Sequence, residues 1–166
     1  MKIHMLSLLS LLSLLPLAGC GGGGGGGASC ASMTPANRPK LEVTWELKHG
    51  SMDDDPPRQH VKLVLKGAAT DTIDLGELVG ACKMQELGAV PEGAVAGLKV
   101  TELACPNSST GRTDFVALVI DAPGKLVLRK YRRQGEGPIQ NQSELKSFEV
   151  PSCTQYAVDI AQGGSL

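Results

Sequence analysis

The chain has 166 residues, with 16 Lys+Arg against 17 Asp+Glu and a formal charge of −1. That balance gives no bulk electrostatic reason for nucleic acid or an anionic surface as a partner, and the length fits one domain plus appendages. Aromatics are only 3% (Trp45, Tyr131, Tyr156, Phe115, Phe148), so no platform for stacking bases or sugars can be assembled, and Leu, Val and Ala must build the core.

The chain opens on Lys2 and the terminal amine, a positive start, followed by a Leu-rich stretch from Met5 to Leu15 with interleaved Ser. Pro16 then breaks the segment before small residues, which is the organisation of an export signal. The apolar part is shorter than the roughly 20 residues a membrane-spanning helix needs. Its end, Leu17-Ala18-Gly19-Cys20, resembles the lipobox of bacterial lipoproteins. The resemblance covers the first 20 residues. It implies that Cys20 takes a diacylglycerol thioether, that the chain is cut before it, and that the new amine is acylated. Such a set of acyl chains exceeds the two signals needed for stable anchoring, each buried CH₂ contributing about 0.8 kcal/mol. Gly21 stands where an aspartate retains lipoproteins of enteric bacteria in the inner membrane. The resemblance therefore implies a cell-envelope address at the outer rather than the inner membrane. Cleavage removes Lys2 alone among the charged residues, leaving 15 cations against 17 acids and a formal charge of −2.

Gly21 to Gly27 is an unbroken glycine run, and Met33 to Pro39 holds two prolines. Glycine loses more backbone entropy on ordering than any other residue, so this composition reads as a tether. A phosphate-cradling loop is excluded, because no strand precedes the glycines and no Lys-Ser/Thr follows in register. The organisation expected is a signal over 1–19, a lipidated tether over 20–39, and a folded domain over 40–166.

From Lys40 the pattern changes. Leu41, Val43, Trp45 and Leu47 alternate with polar neighbours, a period-two strand with one wet face. His60–Lys66 repeats the theme through Val61, Leu63 and Leu65, and Thr70-Asp71 reads as a turn into a short strand through Ile73 and Leu75. Over Leu75–Glu86 a helical spacing (Leu75, Leu78, Val79, Cys82) competes with strand, weakened by Gly76 and Gly80 at up to about 1 kcal/mol each. Val95–Cys105 and Thr113–Ile120 are further strands. Asp121-Ala122-Pro123-Gly124 is a turn that joins the latter to Lys125–Arg132 as a hairpin. After Gly135-Glu136-Gly137-Pro138, two last strands are expected at Leu145–Val150 and Thr154–Ile160. Many short strands with regular turns predict a single all-β domain, mainly antiparallel, of sandwich or barrel type.

With Cys20 lipidated, Cys30, Cys82, Cys105 and Cys153 remain, an even number for an oxidising compartment. Four cysteines allow three connectivities, and the one expected pairs Cys82 with Cys105, leaving Cys30 for Cys153. Without a Cys-x-x-Cys pair, a thiolate metal site is disfavoured.

His49 and His60 flank the first loop, where Asp53, Asp54 and Asp55 lie, and facing each other across a hairpin mouth they would offer a divalent metal imidazole and carboxylate ligands. The bland reading is a solvated acidic loop between exposed strand ends. Arg129, Lys130, Arg132 and Arg133 around Tyr131 form the densest cationic stretch, suited to an anionic partner or to guarding a sheet edge. The chain has no Gly-x-Ser-x-Gly elbow, no catalytic constellation is selected, and no motif calls for a cofactor. The expectation is a membrane-anchored envelope lipoprotein that is not an enzyme, acts as a binding or scaffolding module, and has an envelope protein as partner. A second expectation is an inhibitor of an envelope or extracellular hydrolase, by analogy with small disulfide-bonded lipoproteins that inhibit lysozyme. Gly50–Pro57 or Pro106–Arg112 would be the inserting loop. A third is a metal-binding lipoprotein.

Overall fold

The computed structural model of the protein describes residues 32–50, 55–91 and 95–164. Among the described residues, a 3-10 turn at Pro35–Asn37 is followed by nine strands in chain order. They are β1 (Lys40–His49), β2 (Arg58–Lys66), β3 (Thr70–Val79), β4 (Lys83–Met84), β5 (Lys99–Asn107), β6 (Arg112–Ala122), β7 (Lys125–Gln134), β8 (Gln140–Glu149) and β9 (Gln155–Gly163). They form two sheets, one in the order β3-β2-β1-β9 and the other β4-β5-β6-β7-β8. Neither sheet closes on itself, so the fold is a sandwich-like all-β domain rather than a barrel.

The alternation in β1 determines what meets what. Leu41, Val43, Trp45 and Leu47 are buried, and so are Val61, Leu63 and Leu65 of β2. They pack against Leu103, Val116, Leu118, Leu126 and Leu128 of the facing sheet. Fully burying one such side chain contributes about 1.5–3 kcal/mol, enough to fix which face of each strand turns inward. Trp45 is completely enclosed, and its indole Nε1 donates to Thr101 Oγ1 of β5 at 2.9 Å. This bond crosses from one sheet to the other. It satisfies the one polar atom of the largest core side chain.

Three boundaries differ from the sequence reading. The segment from Leu75 continues as strand to Val79, with Gly76 at φ 68° forming a bulge against Val61-Lys62. Asp74 Oδ1 accepts from the Gly76 N–H at 2.8 Å there. Pairing with β2 buries Leu78 and half-buries Ile73 and Leu75, which a free helix in this place would not do. Val95 is exposed, and the strand expected from it begins only at Lys99, because Gly97 at φ 86° turns the chain and donates to Ile120 O at 2.7 Å. β8 starts at Gln140, five residues before Leu145, since its edge position buries Phe148 alone and leaves no alternation to read.

All pairings are antiparallel except β9, which runs parallel to β1 in the register Leu41↔Tyr156, Val43↔Val158, Trp45↔Ile160. The reason is local. β8 ends where β1 begins, and the Pro151–Thr154 turn carries the chain from one sheet to the other at that same end. β9 therefore starts beside the start of β1, with Gln155 N donating to Pro39 O at 2.8 Å.

Thr101→Val leaves the indole N–H unsatisfied and should lower unfolding free energy by about 1–3 kcal/mol. Trp45→Phe, which also leaves a void, should cost about 2–4 kcal/mol. In urea melts followed by far-UV circular dichroism, the double variant should lose less than the sum of the singles.

Candidate binding surface at the loop end

The sandwich has two distinct ends. At one, the chain enters β1 through Pro39, beside the turn after β8. At the other lie the β1–β2 loop, the β5–β6 turn and the β7–β8 turn. The two loops singled out in the sequence as inserting candidates thus share an end. Residues 80–81 connect them: Gly80 N donates to Pro57 O at 2.7 Å and Ala81 N to Pro106 O at 3.2 Å. Gly80 is required here, because its φ is 122° and a Cβ would lie 2.4 Å from Pro106 O. Next to them the Cys82–Cys105 disulfide joins the chain leaving β3 to β5, the pairing expected from the sequence. Cys153 is also disulfide-bonded. Cys30, its expected partner, lies outside the described residues, as do Cys20, Asp53 and Asp54.

The β5–β6 turn is held from both sides. Thr110 N donates to Asn107 Oδ1 at 3.2 Å, and Gly111 takes φ 64°. From β7, Gln134 Nε2 donates to Thr110 O at 2.8 Å, and Gly135 N donates to Gly111 O at 3.1 Å. Behind the turn, Asp114 is buried and receives Arg112 Nη2 at 3.1 Å and Arg132 Nε at 3.0 Å. Two cations on one buried carboxylate make a charge-assisted clamp between β6 and β7.

The two histidines do not converge. His49 pairs with Gln59 and His60 with Lys48, so consecutive register positions send the imidazoles to opposite faces of the sheet. The Gln59 amide is oriented by its Oε1, which accepts from Cys82 N at 2.8 Å; its Nε2 therefore donates to His49 Nδ1 at 2.9 Å. His60 instead binds Asp74 by Nε2 at 2.8 Å. Asp55 is exposed, and among the described residues no group of three or more His, Cys, Asp or Glu side chains could hold a metal ion. The two imidazoles thus do not face each other across the hairpin mouth, and Asp53 and Asp54 of that grouping lie outside the described residues. An extended strand alternates faces, and the register places the histidines one step out of phase.

The cationic stretch is likewise divided. β7 is an interior strand between β6 and β8, so its charges do not guard an edge. Arg132 turns to Asp114, while Arg129 Nη2 binds Asp121 at 2.7 Å. Arg133 lies over the Phe115 ring at 5.5 Å, and Lys130 lines a cleft with Ile73, Asp74 and Leu145. Four cations that look contiguous in the sequence therefore occupy two faces, two of them paired with aspartates.

The sequence reading missed a third group, on the face of the five-stranded sheet turned away from the other sheet. Phe115 and Tyr131 stack there with centroids 4.9 Å apart. The Tyr131 hydroxyl donates to the buried Glu102, and Lys99 binds both. The only sequence signal was a lone carboxylate within Val100–Ala104.

Comparison of the chain with protein-family models, with curated proteins and with solved structures finds no match in any of the three.

Lys125 and Arg129 hold the Asp121 carboxyl below its ordinary range, the Lys125 hydrogen bond being the largest cause. A depressed carboxylate contributes stability above its unfolded pKa, and that contribution is lost as pH falls through the folded value. Lys125→Met should raise the Asp121 midpoint in a carboxyl ¹³C NMR titration and weaken this acid-side dependence, Arg129 keeping the remainder. Separately, Cys82→Ala with Cys105→Ala reopens a loop of 23 residues' separation. It should lower unfolding free energy by about 3 kcal/mol in urea melts.

Proposed function

We propose that this chain is a lipid-anchored protein of the bacterial cell envelope, held by Cys20 at the outer membrane, whose β-sandwich acts as a non-catalytic binding or scaffolding module. The observation that carries this reading is the polarity of the domain. The tether enters at one end, and the hydrogen-bonded β5–β6 and β7–β8 turns lie at the other, beside the Cys82–Cys105 disulfide. An anchor on Cys20 attaches through the first end and leaves the second free for contact. Residues 20–39 act as the tether, raising the effective concentration of the module near envelope proteins without fixing its orientation. Recognition by a preorganised turn loses little conformational entropy, which is why a pinned loop is the better contact surface. The second disulfide of the proposal joins Cys30 to Cys153.

The rigid Asn107–Gly111 turn also favours the inhibitor reading, in which it enters the cleft of a lytic enzyme. Cross-linking in the native envelope, followed by affinity capture and mass spectrometry, separates the two. A scaffolding module brings down a stoichiometric envelope protein, and an inhibitor brings down a hydrolase that it also inhibits at micromolar concentration. Ser108→Arg with Ser109→Arg should reduce capture at least tenfold, while Glu149→Arg at the tether end should leave it unchanged. Equal capture by both variants would sink the loop-end assignment.

A further inference from the structure

At the tether end, the two sheets part to leave a cleft of about 240 Å³. Its walls are Pro39, Leu41, Leu65, Phe148, Val150 and Pro151, and its polar groups, Lys40, Asp71 and Glu149, are exposed side chains of the rim. An apolar cleft with charges only at its mouth suits an aliphatic ligand whose polar end stays in water. The volume is below that of pockets which take drug-sized ligands, about 300–1,000 Å³, and has room for a segment of one aliphatic chain rather than for a whole lipid.

Pro39 and Lys40 belong both to this wall and to the point where the tether joins the domain. With Cys30 joined to Cys153, between Pro151 and Thr154 of the cleft wall, ten residue steps separate Cys20 from the domain, and a Gly-rich stretch of that length has a root-mean-square reach of about 17 Å. A group carried on Cys20 is therefore delivered to the cleft at an effective concentration on the order of millimolar. A lipid dissolved elsewhere in the envelope has no such advantage.

We propose that the tether-end cleft takes a segment of one acyl chain of the protein's own Cys20 anchor. The inference rests on the lipid-anchor reading. Its physical sense is that one chain is sheltered by protein whenever the anchor is not fully embedded in a bilayer. Each methylene gains the same transfer free energy in either apolar environment, about 0.8 kcal/mol.

The test uses the full chain in two forms, wild type as isolated and Cys20→Ala, with a fluorescent C16 fatty acid as probe. Mass spectrometry of the wild type reads the anchor independently. The Cys20→Ala protein should bind the probe with micromolar affinity, and the lipidated protein at least tenfold more weakly because its own chain fills the site. Ala68→Trp and Ala69→Trp, on the exposed turn beside the cleft, should each abolish binding by Cys20→Ala protein whose circular dichroism is unchanged. Equal probe binding by lipidated and unlipidated forms would overturn the inference, as would probe binding that survives both tryptophans. A lipidated wild type whose Cys20→Ala form takes no probe removes this inference and leaves the anchor reading standing. An unmodified Cys20 in the wild type removes both.

Discussion

The fold depends on burying the period-two apolar faces of two sheets against each other, and Trp45 stands where that requirement is most severe. A side chain of its size has to be enclosed on all sides, and its single N–H needs an acceptor inside the core. Thr101, on the facing sheet, supplies it. That hydrogen bond sets the position of β1 relative to β5. The remaining inner-face residues fill the space on either side. In a chain with one tryptophan and two phenylalanines, the inter-sheet space is otherwise filled by Leu and Val, which are less directional. The single polar bond in the middle therefore supplies specificity that the aliphatic packing lacks.

The strand order then polarises the domain. Because β8 and β9 are joined at the end where β1 begins, the tether, the β8–β9 turn and the apolar cleft fall together. The hairpin connections of β1–β2, β5–β6 and β7–β8 fall at the opposite end. There residues 80–82 carry the chain from one sheet to the other and are held on both sides, by Gly80–Pro57 beside β2 and by Ala81–Pro106 and the Cys82–Cys105 disulfide at β5. The molecule is thus pinned across its layers at the end proposed for recognition and open at the end proposed for the anchor.

The candidate site was legible only in pieces. Both loop segments could be named from turn chemistry, but their adjacency comes from residues 80–81, where the sequence left helix and strand in competition. The histidines and the basic stretch show the reverse difficulty. Proximity along the chain suggested clusters, and strand alternation dispersed them, since neighbours in a strand face opposite ways. The Glu102–Lys99–Tyr131 group combines residues up to 32 positions apart. A lone acid in an apolar strand is a weak hint that no local rule develops further.

Sequence alone settled the all-β class, the inward-facing residues of β1 and β2, the Pro123-Gly124 hairpin and the expectation that four thiols pair, whereas the choice of Cys82 with Cys105 among three connectivities came from the structure. The former rest on local alternation, on turn stereochemistry, or on parity of thiols. Only the tertiary structure decided the parallel docking of β9 on β1, the strand continuation through Gly76, the interior place of β7, and the sharing of one end by the loops. Those features depend on which sheet a strand joins and in what register. That choice is made by burial between residues far apart in the chain, where local propensity carries no information.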